Sequence, residues 1–245
     1  ALARWLRESF VVSLCHPLDA AGLLGGADVV LVRNTGPVIH YLDGYRAFRE
    51  AARQAGVPVY NELTGRGDMA GKQYLVDLTD AGYPVIPTVA DPADAALLGD
   101  VAEYVVKPML GADSLGLRVV TRSELSELPR GLLIQPRIDL VHEVSFHFVD
   151  AEFHYALYAP DRRRRWDLEP YDATPADIAW AQRFIAWNTI GRGIQRVDAC
   201  RTRDGGLLLV ELEDNNPYLS LSLVEDAVRE RFLRALEASL RSMLR

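Results

Sequence analysis

Three carboxylates, Asp198, Glu211 and Glu213, stand where their spacing could do chemistry. Asp198 lies in the run 195–201 and the two glutamates in 207–213, with the turn signal Asp204-Gly205-Gly206 between them, so the pattern predicts a hairpin. Residues two apart on a strand share a face, which aligns Glu211 with Glu213 and turns Val210 and Leu212 toward the core. Pairing across Gly205 brings Asp198 beside Glu211. With no lysine between them, three such carboxylates repel one another unless a cation joins them. Hard oxygen donors select magnesium, with manganese as the alternative. The competing reading is a solvated polar face on an exposed hairpin.

Lys72 and Lys107 form a second feature, two of very few lysines in a chain whose bases are overwhelmingly arginine. Lys107 ends an apolar strand (104–106) and precedes Pro108 and a loop, 109–116, that contains Gly111, Ser114 and Gly116. An ammonium and backbone N–H groups converging there suit phosphate, although neither the phosphate-loop consensus nor G-x-G-x-x-G occurs. Two exposed lysines beside a surface loop is the alternative. Gln135-Pro136-Arg137-Ile138 follows the apolar strand 132–134, and could offer main-chain groups to the edge of a flat heterocycle. The arginine run 162–165 reads either as a solvated loop or as a trap for phosphate or carboxylate. His16, His40, His142, His147 and His154 lack metal-binding spacing, and Ser114 and Ser145 lack a nucleophile elbow. Trp180 and Trp187, seven apart, read as core.

The elements that must position these groups fit an α/β protein. The chain has 245 residues, 49% hydrophobic and 25% charged, with a formal net charge of −7. That length admits one large domain or two to three small ones. No apolar run approaches the roughly 20 residues of a membrane span, and the acidic balance argues against a nucleic-acid partner. No secretory signal is expected. Cys15 and Cys200 lack redox or metal spacing and fit a reducing cytoplasm. Runs 10–14 and 28–32 read as buried strands, 42–55 as a helix stopped by Gly56, and 57–60 as a strand. That order is a crossover unit with a parallel sheet. Next come a helix over 68–79, a short strand at 85–87, a helix at 92–98, strands at 103–106 and 117–120, and a β-rich stretch over 132–158. Thr174-Pro175-Ala176-Asp177 opens a helix to about 190, and Ser222–Glu225 reads as a capping box for the last helix. That helix carries the stripe Val228, Phe232, Leu236, Leu240 and Met243. Soft boundaries fall near 62 and 88.

Taken in order, the pieces resemble the ATP-grasp superfamily. The matching stretches are Asp68–Lys72, Ala81–Thr88, Val105–Pro108 with its loop, Leu133–Pro136 with Glu143 downstream, Arg196–Asp198, and Glu211–Glu213 before Pro217. Within the superfamily the look is that of glutathione-synthetase-like ligases and the O-ureidoserine cyclo-ligases, because Glu213 stands where many relatives carry Asn. The resemblance implies two α+β subdomains that sandwich ATP, over 63–128 and 129–245. A small parallel-sheet domain over 1–62 would precede them, and one further leading strand would be expected. Lys72, Lys107 and Ser114 would then contact the ATP phosphates. Gln135, Pro136, Ile138 and Glu143 would contact adenine and ribose, and Asp198, Glu211 and Glu213 would hold magnesium.

The implied reaction joins a carboxylate to an amine through an acyl phosphate, releasing ADP and phosphate, on a small amino-acid-like substrate in specialised metabolism such as antibiotic biosynthesis. Arg196 would steady the transferred phosphoryl group or the oxyanion. Arg33, Arg162 and Arg165 are candidates for substrate contact. The other readings are a kinase acting on a hydroxyl and an ATP-binding module without turnover. A homodimer is the expected assembly.

Overall fold

The structure is a computed structural model that describes residues 2–33, 41–111 and 116–244. Helices α1 (Leu2–Leu6) and α2 (Ala20–Leu23) flank an extended segment. The strand expected at 10–14 is not formed. Val11 is 103% and Leu14 72% exposed, while Phe10 and Val12 lean on the C-terminal core. An apolar run needs a neighbouring ladder to become a strand, and this one has none. Strands β1 (Val30–Leu31) and β2 (Val59–Tyr60) pair in parallel across helix α3 (Leu42–Ala55), the expected crossover. Helix α3 buries Tyr45, Phe48 and Ala52 and ends at Gly56, whose φ of 65° suits a residue without a Cβ.

The helix expected over 68–79 is broken in two. A 3-10 turn (Asp68–Ala70) stops at Gly71, at φ 89°, and α4 (Tyr74–Asp80) starts afresh. Between them the Lys72 amide donates outward to the Met109 carbonyl at 2.8 Å. The strand expected at 85–87 is reduced to single bridges, Val85 to Leu209 and Val89 to Ile134, because Pro84 and Pro87 offer no N–H to a ladder. Residues Pro92–Leu98 wind as a 3-10 helix. Strands β3 (Glu103–Pro108), β4 (Arg118–Thr121) and β5 (Leu132–Pro136) form an antiparallel sheet in the order β4-β3-β5. Strand β5 thus joins the middle sheet although it lies beyond residue 128.

The larger sheet has the order β10-β9-β6-β7-β8. Its strands are β6 (Leu140–Val149), β7 (Glu152–Ala159), β8 (Glu169–Tyr171), β9 (Ile194–Thr202) and β10 (Leu207–Glu213). The short β8 carries no apolar alternation that would have announced it. One face of the sheet packs Phe146, Phe148, Val197, Ala199 and Leu212 against α4 and helix α5 (Pro175–Asn188). Helix α5 opens with the expected Thr174–Asp177 capping box, and Trp180 and Trp187 pack against this core as expected. Helix α6 (Asp226–Ser242) closes the other side through Phe232, Leu236 and Leu240, the expected stripe. The capping box expected at Ser222–Glu225 is absent. Ser222 lies inside a 3-10 turn (Leu221–Leu223), and Glu225 caps α6 without a side-chain bond. Among the described residues no helix is long and apolar enough to cross a membrane.

Candidate active site

Strand register lines up one polar face of the large sheet. Asp198 pairs with Glu211 and Ser145, and Arg196 pairs with Glu213 and His147. Strand β10 bulges between Leu209 and Glu211, so Val210 is not the core-facing residue expected. Its carbonyl instead accepts a long bond from the Lys107 Nζ at 3.5 Å. Asp198, Glu211 and Glu213 each offer an oxygen within 4.8 Å of the others.

The expectation that these acids converge without a lysine among them is corrected, and Arg196 joins them too. Arg196 donates Nε and Nη2 to Asp198 at 2.8 Å each, and Nη2 also reaches Glu213 Oε1 at 2.7 Å. Lys72 Nζ sits 3.0 Å from Glu211 Oε1 and 2.7 Å from Asp68 Oδ2. Lys107 Nζ stands 3.9 Å from the same Glu211 oxygen. The acids are therefore not a solvated face. The two lysines are not surface groups either: they are 3% and 6% exposed, and they are the only lysines in the chain.

The site is polarised, with lysines on Glu211 and arginines on Glu213. Burial alone would raise Glu211, but Lys72 and Lys107 hold its pKa below the usual value. Glu213 is pushed up to about 8 by burial, with Asp198 and Glu211 adding to the effect and Arg196 opposing it. Burial lowers Lys107, against the pull of Glu211. Burial would lower Lys72 too, but Asp68 and Glu211 outweigh it and its pKa is raised. Three hard oxygen donors, one of them driven by burial and by its neighbouring acids to hold its proton up to about pH 8 despite Arg196, fit a magnesium ion.

Arg33 approaches from the end of β1. Its Nη2 donates to the Pro217 carbonyl at 2.8 Å, and its enclosed Nη1 has no partner among the described residues. Burial brings its pKa down to about 10, with Glu213 its main opposing influence. Glu143 lies on the same sheet face, and its charge is felt by Lys107. The Gln135 side chain is buried and donates to Thr88 Oγ1 at 2.8 Å, so only main chain is offered there. The Arg137 amide is also taken, by the Glu103 carbonyl. Ser114 lies outside the described residues, as does the side chain of Arg162. The rest of the arginine run is engaged locally: Arg164 pairs with Asp167, and Arg165 lies over the Trp166 ring. Cys15 is exposed and Cys200 buried, both as free thiols. Burial pushes the Cys200 thiol up to about 11, which leaves it a poor nucleophile.

Sequence reasoning missed Asp68, Tyr74, Asn188 and Asp214. Tyr74 donates its hydroxyl to Asp68 Oδ1 and accepts from the Leu212 amide. The four-residue spacing of Asp68 and Lys72 was the one available signal.

His147, 1% exposed, stacks on Tyr155 at 4.2 Å between centroids. Burial pulls its pKa down to about 3 from 6.5. The unfolded chain therefore takes up a proton that the folded chain refuses. Between about pH 6.5 and 3 this group should remove about 1.4 kcal/mol of stability per pH unit lost. Denaturant titrations of the parent and of His147→Gln should show a shallower acid slope in the variant, and equal slopes would contradict this reading.

No family model matches the sequence. The chain is 28% identical over 208 residues to the cycloserine biosynthesis protein DcsG of Streptomyces lavendulae, covering 69% of each. It superposes on the crystal structure of D-cycloserine synthetase DcsG with a TM-score of 0.75 and 23% identity, over 98% of this chain and 93% of that one. D-alanine–D-alanine ligase from Bacillus anthracis, complexed with ATP, matches with a TM-score of 0.68 and 15% identity, over 95% and 84%. The ATP-grasp ligase PsnB, complexed with a phosphomimetic variant of its minimal precursor, Mg and ADP, matches with a TM-score of 0.59 and 18% identity, over 82% and 69%.

Proposed function

The chain has the ATP-grasp ligase fold that its motif order implied, and from that premise we propose an ATP-dependent carboxylate–amine ligase acting on a small amino-acid-like substrate in specialised metabolism. The observation that carries the reading is the meeting of the chain's only two lysines, each from a different element, at one carboxylate of a three-acid cluster. A surface hairpin has no use for two buried ammonium groups. A site that must neutralise a triphosphate does.

Lys72 and Lys107 would exchange Glu211 for phosphate oxygens, and the main chain around Pro136–Ile138 with Glu143 would hold the base and ribose. Asp198, Glu211 and Glu213 would hold magnesium, which supplies charge neutralisation at the phosphates. A substrate carboxylate oxygen attacks the γ-phosphorus and ADP leaves. The amine nitrogen then attacks the acyl carbon, the C–O bond to phosphate breaks, inorganic phosphate leaves, and the nitrogen loses a proton as the amide forms. Arg196, which donates to Asp198 and Glu213, would stabilise the developing negative charge. Arg33, whose enclosed Nη1 has no partner among the described residues and which feels the Glu213 charge, would anchor a second charged group of the substrate. Catalysis would rest on positioning and charge, with no covalent enzyme nucleophile.

Calorimetry of ATP with and without magnesium tests the nucleotide half. A screen of amino-acid-like acids for stoichiometric release of ADP and phosphate tests the ligase half. Lys107→Ala should weaken ATP binding by about 1–3 kcal/mol, the range for a charge-assisted contact. Unchanged affinity would exclude Lys107 from the phosphate site.

A further inference from the structure

Asp214 directly follows the acid cluster, yet its carboxylate points away from it into the fold. It is fully buried. Oδ1 accepts from the Met69 amide at 2.8 Å, and Oδ2 accepts from the Gly67 amide at 2.9 Å and from Asn188 Nδ2 at 3.1 Å. Asn188 adds its own oxygen to the Arg66 and Gly67 amides, at 2.6 and 3.1 Å. Asn61 ties the Asp214 carbonyl to that of Ile194 through Nδ2, at 2.6 Å each. The segment 65–69 is shaped around this carboxylate. A Cβ on Gly65 would lie 2.3 Å from Asp214 Oδ2, and one on Gly67 would lie 2.9 Å from it and 2.6 Å from the Leu212 carbonyl.

That segment leads directly into Asp68, whose carboxylate receives Lys72 Nζ and the Tyr74 hydroxyl. Met69 and Gly67, the residues on either side of Asp68, are the two whose amides Asp214 holds. We infer that Asp214 is a positioning residue: by fixing the 67–69 turn through two backbone amides it aims Lys72 at Glu211. It thereby couples the end of strand β10, which carries Glu211 and Glu213, to the separate segment that carries Lys72. The consequence for nucleotide binding rests on the reading of Lys72 as a phosphate ligand. The positioning itself does not.

Two lysines in the whole chain make the test direct. Nucleotide-free protein is acetylated with an N-hydroxysuccinimide ester, and the Lys72 and Lys107 peptides are quantified by mass spectrometry over time. In Asp214→Asn an amide group faces backbone N–H donors, so the turn should loosen. The Lys72-to-Lys107 labelling ratio should then rise about tenfold, with Lys107 within twofold of the parent. Gly67→Ala reaches the same turn by steric displacement, leaves Asp214 intact, and should raise the same ratio. It decides the matter if Asp214→Asn fails to fold. Equal increases at both lysines would show general loosening and overturn the inference, as would a parent-like ratio in Gly67→Ala. Calorimetry with ATP and magnesium on the same variants separates the two readings. A raised ratio with undiminished affinity would leave the positioning standing and remove Lys72 from the phosphate site.

Discussion

Glu211→Gln should lower magnesium-dependent ADP formation by about 10²–10³-fold, the scale of losing one preorganised electrostatic contact in an enclosed site. Glu211 is where the site's two functions meet. Its oxygen balances Lys72 at 3.0 Å and Lys107 at 3.9 Å, and its carboxylate is one of the three acids that could share an ion. Glutamine keeps the shape and removes the charge, so the acid set falls from three to two. Lys72 retains Asp68 as a partner. Lys107 loses its main stabilising charge, and burial already lowers its pKa, so its ammonium becomes harder to keep. The fold should survive, because Leu212, Val197 and Ala199 on the opposite face are untouched. The measurement is ADP release at saturating magnesium under the conditions that give turnover in the parent, beside a circular dichroism melt. Parent-level ADP release from a folded variant would remove the three-acid site from the reaction.

What could be read in advance follows a physical division. Local patterns held. Helix α3 runs from Leu42 to Ala55 with Gly56 as its left-handed stop, α5 begins at the Thr174 cap, and the Gly205 turn pairs Asp198 with Glu211. In each, the information lies within a few residues of where it acts. Failures came where a distant partner decides the outcome. The run 10–14 has strand composition but no ladder to join. The helix over 68–79 is cut because Gly71 turns the chain and the Lys72 amide bonds to Met109 rather than one turn back. The site shows the same division. The acids and Arg196 were legible because they share a hairpin. That Lys72 and Lys107 would meet at Glu211 was not, since they arrive from separate segments. Asp214 was invisible for the same reason: the Met69 amide it holds lies 145 residues away in the chain.

Arg196→Met should cost about 3 kcal/mol of stability in the absence of divalent ions, at the lower end for removing one partner of a buried ion pair. Its partners Asp198 and Glu213 keep 17% and 22% side-chain exposure, so solvent relieves some of the burden. In a chain of this length that corresponds to a melting temperature roughly 10 °C lower. Methionine preserves length and apolar packing, so the loss reports charge. Without the guanidinium, Asp198 and Glu213 face each other uncompensated. Glu213 is already pushed up to about 8 by burial and by those acids. A carboxyl whose folded pKa exceeds its unfolded value of about 4.5 keeps its proton longer in the folded chain. Acid therefore favours both folds. Because Arg196 holds the Glu213 pKa down, the variant keeps that proton to higher pH than the parent, and the deficit should widen as pH reaches about 8 and passes it. Magnesium should do what the lost guanidinium did. A divalent ion shared by the three carboxylates would recover several degrees in the variant, and more than it adds to the parent, where Arg196 already occupies two of the acids. Melts of both proteins in chelator and in magnesium, at pH 5.5 and 8, measure this directly. If magnesium moved the variant no further than the parent at pH 8, the three carboxylates would not be the ion's ligands, and Arg196 would be a permanent structural cation rather than one that yields to the substrate complex.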